Sequence, residues 1–313
     1  MTSSPNIFQK IERKLLTKPI WFRETRRTYP IRSQAFEFPP IAVNPMPETI
    51  LAILAPASHA CDVAWAARSL LHQLPSDLGL LVVIHGGLAP SLVAQFERSF
   101  PGMLFQSASE YRDPTKVPKN LGLLAEKHKI GHKPAMLMRL QERYNVLYSD
   151  MDVLAFNSMP EVSNSIANGG PPLYLQDEVG LTSDPVLQGY IRSRGHPCVE
   201  ALSGGFHYIP RNSFSFDLAE DLLQPGNYDP DCWFSDQSLL AVWMADAGGV
   251  GLPLSRYVNS FDRQFYFEKD VDYSAISLRH FNSPVRHLMY SRGMPLLRKA
   301  WNRGSREVAA GVR

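Results

Sequence analysis

Asp150 and Asp152 are the two residues whose types and spacing point most directly to chemistry. They follow the apolar run at residues 146–148, which predicts a buried strand. At a strand end both carboxylates can turn toward the same side of the sheet, and burying them is costly unless they are paired or bind a cation. Their oxygens are hard ligands that suit Mg²⁺ or Mn²⁺, with phosphate oxygens and water completing the coordination shell. The pair therefore predicts a metal–diphosphate site.

An Asp-x-Asp tripeptide also has a purely structural interpretation, because aspartates are common in turns and at helix N-termini. The flanking sequence favours the functional interpretation. A strand-like run precedes Asp150, and a second apolar run at residues 153–154 follows Asp152. Carboxylates between two apolar segments need a cation or a hydrogen-bonding partner, whereas aspartates in a solvated turn are satisfied by water.

The chain before this pair predicts the sheet that would position it. Continuous apolar runs predict three buried strands, at residues 50–55, 80–84 and 103–105. Helical spacing predicts the helices between them, at residues 62–74 and 90–99. Such alternation is typical of a parallel sheet covered on both faces. Ligands of these sheets bind beyond the carboxyl ends of the strands, and Asp150 and Asp152 lie at such an end.

The segments around the pair supply further candidate residues. A predicted helix at residues 132–143 carries Lys133 and Arg139. The stretch at residues 171–200 is rich in proline, glycine and polar residues, which is typical of a functional loop. Gly204 and Gly205 lie near the start of the next predicted strand, where they allow close backbone approach. Further helices are predicted at residues 214–223 and 235–247.

Both ends of the chain are basic. Residues 1–32 carry eight Lys or Arg and two Glu, residues 286–313 carry seven and one, and the middle has a net charge of −10. Residues 6–23 have the pattern of a basic amphipathic helix, which predicts either contact with an anionic bilayer or packing against protein. The prolines of residues 30–48 predict an extended linker. We expect three parts: a basic amphipathic helix with a proline-rich linker at residues 1–48, a folded catalytic domain at residues 49–290, and a basic C-terminal tail at residues 291–313.

Composition places the chain among globular proteins with a sizeable core, since 44% of its 313 residues are hydrophobic. It contains no apolar run long enough for a membrane-spanning helix and no signal-peptide pattern near the N-terminus. Its three cysteines are widely spaced and form neither a zinc pattern nor a disulfide framework. We expect a cytoplasmic protein without a nucleic-acid partner. Peripheral contact with the inner membrane surface through residues 6–23 stays open.

Four stretches, taken in order, resemble the GT-A-fold glycosyltransferases, especially the retaining glycogenin-like and plant cell-wall-type nucleotide-sugar transferases. These stretches are Tyr148-Ser149-Asp150-Met151-Asp152, Ser203-Gly204-Gly205-Phe206-His207, Asp236-Gln237-Ser238 and His280-Phe281-Asn282-Ser283-Pro284-Val285-Arg286. The resemblance covers about residues 50–290. It implies an α/β, GT-A-like fold related to the Rossmann fold, with a mixed, mostly parallel central sheet flanked by helices.

The resemblance also implies an activity, the transfer of a sugar from a nucleotide-diphosphate donor to an acceptor, with retention at the anomeric carbon. Asp150, Asp152 and His280 would hold Mn²⁺ or Mg²⁺, which would stabilise the charge of the leaving diphosphate. Asp236 and Gln237 would lie near the anomeric carbon as the catalytic residues. The expected donor-binding residues are Ser58, Lys133, Arg139, Ser203, Gly204, Gly205 and Arg286. The acceptor would be a carbohydrate or a lipid-linked molecule, with residues 171–200 on its side by position.

The structural alternatives for these residues are ordinary ones: His280 as a hydrogen-bonded core histidine, Asp236 as a helix cap, and Lys133 and Arg286 as surface charges. The sequence also departs from the family pattern. Leu202 and Ser283 stand where the family has Asn and Gly, and Arg286 stands for Lys. Arginine keeps the positive charge and adds a second donor direction.

Other functions fit parts of the sequence. A haloacid-dehalogenase-type phosphohydrolase also has Asp-x-Asp after an apolar strand, but that motif normally opens its domain, whereas strands precede Asp150 here. A sugar nucleotidyltransferase shares the fold but has a glycine-rich basic loop after its first strand, which residues 55–60 lack. A non-catalytic nucleotide-sugar-binding or scaffold protein is the third alternative.

Overall fold

A computed structural model describes residues 30–113, 117–127, 131–177, 180, 183–232, 234–259, 272–282 and 285–311. The amphipathic helix predicted at residues 6–23 and the family position Ser283 lie outside these ranges. In the described part of the chain, no helix combines the length and hydropathy that crossing a bilayer requires.

The strands of the central sheet lie close to the ranges that the apolar runs predict, except for two that the sequence did not predict, at residues 173–176 and 250–251. The stretch at residues 171–200 is therefore not wholly a loop, because it contains the first of these strands and a helix at residues 185–194. The central sheet contains β1 (Thr49–Pro56), β2 (Gly79–His85), β3 (Leu104–Ser107), β4 (Asn145–Asp150), β6 (Leu173–Gln176), β7 (Leu202–Ile209) and β8 (Val250–Gly251). A second, three-stranded sheet contains β5 (Val153–Ala155), β9 (Tyr257–Asn259) and β10 (Leu278–His280).

The central sheet is mixed and mostly parallel, in the order β3-β2-β1-β4-β7-β6-β8. Strands β3, β2, β1 and β4 run parallel to one another, and β6 is parallel to β8. Strand β7 is antiparallel to both β4 and β6. Because β7 runs against β4, its first residues lie beside the last residues of β4. The predicted fold class is confirmed.

Helices cover the sheet and connect its strands. They are α1 (Ala60–Leu71), α2 (Pro90–Ser99), α3 (Lys119–Lys127), α4 (His132–Gln141), α5 (Pro160–Asn168), α6 (Pro185–Arg194), α7 (Phe216–Leu222), α8 (Ser235–Asp246) and α9 (Met294–Gly311). A helical turn (Arg286–Leu288) and a π-helical turn (Met289–Gly293) lead into α9.

Alternate residues of β1 face two separate cores, which explains its unbroken apolar sequence. Leu51 and Ile53 belong to the core that contains Trp65 of α1. Ile50 and Ala52 belong to the core on the other face, with α4 and α8. A strand buried on both faces has no position for a polar side chain until the sheet ends.

The segments outside the central sheet lie against it. Residues 30–48 are not the extended linker that their prolines predict, because residues 30–36 are helical. Arg68 donates hydrogen bonds to the carbonyl oxygens of Ala35 and Pro39 at 3.1 and 2.7 Å. Ala35 is fully buried. At the other end, Trp301 of α9 stacks on Trp65, with ring centroids 5.2 Å apart. The polar and proline-rich composition of these segments gives no indication that some of the residues between the prolines are buried.

Candidate functional site

Strand pairing brings the predicted site residues together from distant parts of the chain. Asp150 ends β4 and lies next to the first residues of β7, because Ser149 pairs with Phe206. Strand β10 pairs with β5 so that His280 lies opposite Val153. The backbone N–H of Phe281 donates to the Asp152 carbonyl oxygen at 2.7 Å, which fixes this register.

Each aspartate uses one carboxylate oxygen for a cationic side chain and turns the other toward His280. Arg286 donates to Asp152 Oδ2 from Nε at 3.0 Å and also from Nη2, while Asp152 Oδ1 lies 3.4 Å from His280 Nε2. Lys133 Nζ lies 3.3 Å from Asp150 Oδ1, while Asp150 Oδ2 lies 3.9 Å from His280 Nε2. One ligand atom from each of the three residues therefore faces a common point.

These three atoms fit a divalent cation. One ligand atom from each of Asp150, Asp152 and His280 lies within 4.8 Å of the others. Two metal–ligand bonds of about 2.1 Å each can span up to about 4.2 Å, so distances of 3.4 and 3.9 Å can be bridged. Two carboxylate oxygens and one imidazole nitrogen suit Mn²⁺ or Mg²⁺.

The surroundings of His280 suit a neutral metal ligand. Its Nδ1 lies 3.3 Å from Ser203 Oγ, so a proton on Nδ1 can be donated to that hydroxyl. The lone pair of Nε2 is then directed at the two aspartates. Ser203, which the sequence predicts at the donor, therefore contacts a metal-ligand candidate.

Of the two glycines at the start of β7, Gly205 is required by this packing. A Cβ atom placed on Gly205 would lie 2.5 Å from the His280 ring. A Cβ atom on Gly204 would lie 3.3 Å from both Lys133 Nζ and Gln237 Cγ. The sequence predicts these glycines as donor-binding residues that allow close backbone approach. The contacts within the protein already exclude a side chain at Gly205.

Lys133 joins the metal-ligand candidates to the predicted catalytic residues. Its ammonium donates to the Gly204 carbonyl oxygen at 3.0 Å and lies 3.6 Å from Asp236 Oδ2. Burial lowers the pKa of Lys133, but Asp150 and then Asp236 outweigh it and raise the pKa above its ordinary value. Lys133 is therefore a permanent cation between two carboxylates.

The carboxylates of the site differ in acidity because they have different partners. Burial raises the pKa of Asp236 to about 6, and repulsion from Asp150 adds to this effect while Lys133 opposes it. Burial also acts on Asp152, but Arg286 and then His280 outweigh it and hold the pKa of Asp152 well below its usual range. Asp152 is therefore ionised at any physiological pH, whereas Asp236 titrates closer to neutrality.

Asp236 lies in the first turn of α8 but does not cap it in the usual way. Its Oδ1 accepts from the adjacent Gln237 N–H at 2.7 Å, and its other oxygen faces Lys133. Lys133 in the first turn of α4, and Asp236 and Gln237 in the first turn of α8, line the cleft. Helix N-termini favour anions, which matches a diphosphate ligand.

These residues line one cleft of about 290 Å³. Its walls are Leu54, Lys133, Asp150, Met151, Asp152, Phe234, Asp236, Gln237, His280, Asn282 and Arg286. With His280 neutral, the side-chain charges add up to −1. A divalent cation would change this to +1 and make the cleft attractive to a phosphate group.

Two predicted donor-binding residues lie away from this cleft. Arg139 is on α4, but its guanidinium pairs with Glu142 at 3.1 Å. Ser58 is exposed in the turn Ala57–His59 after β1, and its carbonyl oxygen accepts from Arg32 at 3.2 Å. Neither residue contacts the groups described above, so their donor contacts stay predictions.

The structure adds residues that the sequence analysis did not select. Tyr148 donates from Oη to Asp150 Oδ1, and its ring lies 5.1 Å from Lys133 Nζ. The strand period would have indicated it, because residues 148 and 150 share one face of β4. His207 stacks on Tyr148 across the strands, and burial, followed by the charge of Lys133, lowers its pKa to about 3. His207 is thus a neutral support beneath the site.

Comparison with solved structures identifies the fold. The chain superposes on the galactosyltransferase LgtC, crystallised with donor and acceptor sugar analogues, with a TM-score of 0.52 and 16% identity over 79% of this chain and 94% of that chain. An active-site mutant of LgtC gives a TM-score of 0.51 with 14% identity over 75% and 88% of the two chains. Mouse xyloside xylosyltransferase 1 gives 0.46 with 13% identity over 78% and 99%. The two LgtC structures, with TM-scores above 0.5, show that the chain has the GT-A-type fold.

Sequence comparison adds no family assignment. No protein-family model matches the chain. No curated protein matches its sequence either. The function of the chain is therefore inferred from its fold and from the geometry of the cleft.

Proposed function

We propose that this protein is a metal-dependent glycosyltransferase that moves a sugar from a nucleotide-diphosphate donor to an acceptor. The observation that carries this proposal is the convergence of Asp150 Oδ2, Asp152 Oδ1 and His280 Nε2 on one point. The convergence lies at the carboxyl end of β4 in a GT-A-type sheet, where ligands of such sheets bind. A bound Mn²⁺ or Mg²⁺ would act there as a Lewis acid toward the diphosphate.

The protein's own cations would complete the diphosphate site. Arg286 uses Nε and Nη2 to hold Asp152, and a guanidinium has further N–H donors for a phosphate oxygen. The helix N-termini of α4 and α8 add N–H groups of the same polarity. Lys133 has its donors directed at Gly204, Asp150 and Asp236, so its main contribution is to hold these groups in place.

Asp236 and Gln237 would act on the sugar rather than on the diphosphate. Both line the cleft, and the Asp236 carboxylate lies 3.6 Å from Lys133 Nζ. An ionised Asp236 carboxylate can accept hydrogen bonds from sugar hydroxyls and stabilise positive charge at the anomeric carbon. We assign retention of configuration to the reaction on the family likeness, and the anomer of the product, determined by NMR, tests it.

The alternatives of the sequence analysis differ in what they require. A phosphohydrolase of the haloacid-dehalogenase type would need Asp150 as a nucleophile at the start of its domain, but β1, β2 and β3 precede it in the same sheet. A nucleotidyltransferase would need a glycine-rich basic loop after β1, where the chain has the turn Ala57–His59. A scaffold protein would not need three converging ligand atoms.

Calorimetry with UDP and GDP, each with and without Mn²⁺, tests the proposal. We expect one nucleotide to bind only in the presence of the cation, and Asp150→Asn to remove that binding. A screen of nucleotide sugars for donor hydrolysis then identifies the sugar. Absence of binding at millimolar nucleotide would favour the scaffold alternative, and metal-dependent release of phosphate from a generic phosphoester would favour the phosphohydrolase.

A further inference from the structure

Asp62 is a buried carboxylate outside the cleft, and it contacts residues from three separate segments of the chain. Asp62 of α1 is 1% exposed. It accepts from Arg32 Nε and Nη2 at 2.8 Å each, lies 2.7 Å from His59 Nδ1, and accepts from Tyr290 Oη at 3.0 Å. These partners come from the N-terminal segment, the turn after β1 and the π-helical turn Met289–Gly293. Burying a carboxylate costs free energy unless it is paired and hydrogen-bonded, and these contacts supply the partners that Asp62 needs.

The π-helical turn is the element that carries this connection to the cleft. Tyr290 follows Arg286 by four residues, about one helical turn, so fixing the tyrosine fixes the direction from which Arg286 approaches Asp152. π-Helical turns are rare and often lie at functional sites. Tyr290 is 2% exposed, and the Arg32 guanidinium lies over its ring at 5.4 Å from the centroid.

We propose that Asp62 and Tyr290 are positioning residues that hold Arg286 in the orientation in which it contacts the donor diphosphate. The inference deepens the proposed function and rests on it. The same carboxylate also holds the turn that follows the first strand. Arg32, held by Asp62, donates to the Ser58 carbonyl oxygen in the turn after β1. One buried group thus ties together the Arg286 turn and the turn that ends the first strand.

Electrostatics supports this geometry. Burial by itself lowers the pKa of Arg286, but Asp152 first, and Asp62 more weakly, raise the pKa above its ordinary value. The Asp62 carboxylate is therefore close enough to act on the guanidinium directly as well as through the backbone. If Asp62 only held the N-terminal segment in place, its contact with Arg32 would be sufficient and the hydrogen bond from Tyr290 would not be needed.

A double-mutant cycle on nucleoside-diphosphate binding separates positioning from general stability. The variants are Tyr290→Phe, Arg286→Gln and their combination, with UDP and GDP titrated into each in the presence of Mn²⁺. The Phe substitution keeps the buried ring and removes only the hydroxyl that bonds to Asp62. Tyr190→Phe is the matched control, because Tyr190 Oη donates to the Asp221 carboxylate at 3.1 Å on the far side of the sheet.

We expect Tyr290→Phe to weaken binding by about tenfold in the natural background and to have no further effect once Arg286 is replaced. Tyr190→Phe should leave the affinity unchanged. Equal losses in both backgrounds, or no loss in either, would overturn the positioning role. Binding by the unmodified protein reports separately on the proposed function, and its absence removes both. If Arg286→Gln does not fold, Arg286→Lys replaces it, since lysine cannot reproduce the two-donor contact with Asp152.

Discussion

Replacing Gly205 by alanine tests the candidate metal centre most directly. The new Cβ atom would lie 2.5 Å from His280 Nδ1 and Cε1, whereas ordinary contacts begin at 3.4 Å. The residues on either side of Gly205 are held by the pairing of β7 with β4 and β6, so the His280 ring must shift by about 0.9 Å. Metal sites tolerate displacements of only about 0.2 Å in ligand distance.

Two quantities should therefore change in Gly205→Ala. The affinity for Mn²⁺ with nucleoside diphosphate, measured by calorimetry, should fall by at least about tenfold, the scale seen when a ligand loses its orientation. The free energy of unfolding in urea should fall by about 1–3 kcal/mol, because the added methyl group overpacks a buried site.

Gly189→Ala is the matched control. Gly189 lies inside α6 with no atom within 4 Å of an added Cβ, so alanine should be neutral or stabilise the helix by up to about 1 kcal/mol. The stability cost of Gly205→Ala should also vanish in a His280→Ala background, where the ring is absent. If Gly205→Ala binds Mn²⁺ and nucleotide as the unmodified protein does, or costs the same stability without His280, the argument from this contact is refuted.

Further expected outcomes concern single groups. Asp152→Asn should weaken Mn²⁺-dependent nucleotide binding by at least about tenfold in calorimetry, and unchanged binding would remove Asp152 from the metal site. Because burial raises the pKa of Asp236 from 3.8 to about 6, its contribution to stability is full below pH 4 and is lost as the pH rises to about 6. The unfolding free energy relative to Asp236→Asn should thus fall by up to about 3 kcal/mol between pH 4 and 7, and a flat difference would contradict this. Asp184→Ala should lower the unfolding free energy by about 3 kcal/mol, because Asp184 accepts from the Leu187 and Asp229 N–H groups at 3.2 and 2.8 Å; a loss below about 1 kcal/mol would be too small. If the acceptor is lipid-linked, deleting residues 1–29 should abolish liposome flotation and leave donor hydrolysis intact, and unchanged flotation would count against it.

The sequence determined the strands that lead to the acidic pair and the position of that pair. Strands β1, β2 and β4 and helix α2 lie within two or three residues of the predicted ranges, because unbroken apolar runs and helical spacing are local properties of the chain. The same local pattern placed Asp150 at the end of a buried strand. The resemblance to the GT-A-fold glycosyltransferases rests on four stretches that occur in the family's order, and the fold of the chain agrees with this resemblance.

Only the tertiary structure decided which atoms meet. His280 reaches Asp152 because β10 pairs with β5 in one register, and no local pattern of residues 278–280 specifies that pairing. The same holds for Gly205 against His280, and for Asp62, which reads as a residue in the first turn of a helix until Tyr290 and Arg32 are placed around it. Side chains far apart in sequence come together through sheet register and helix packing, and these depend on the whole core at once.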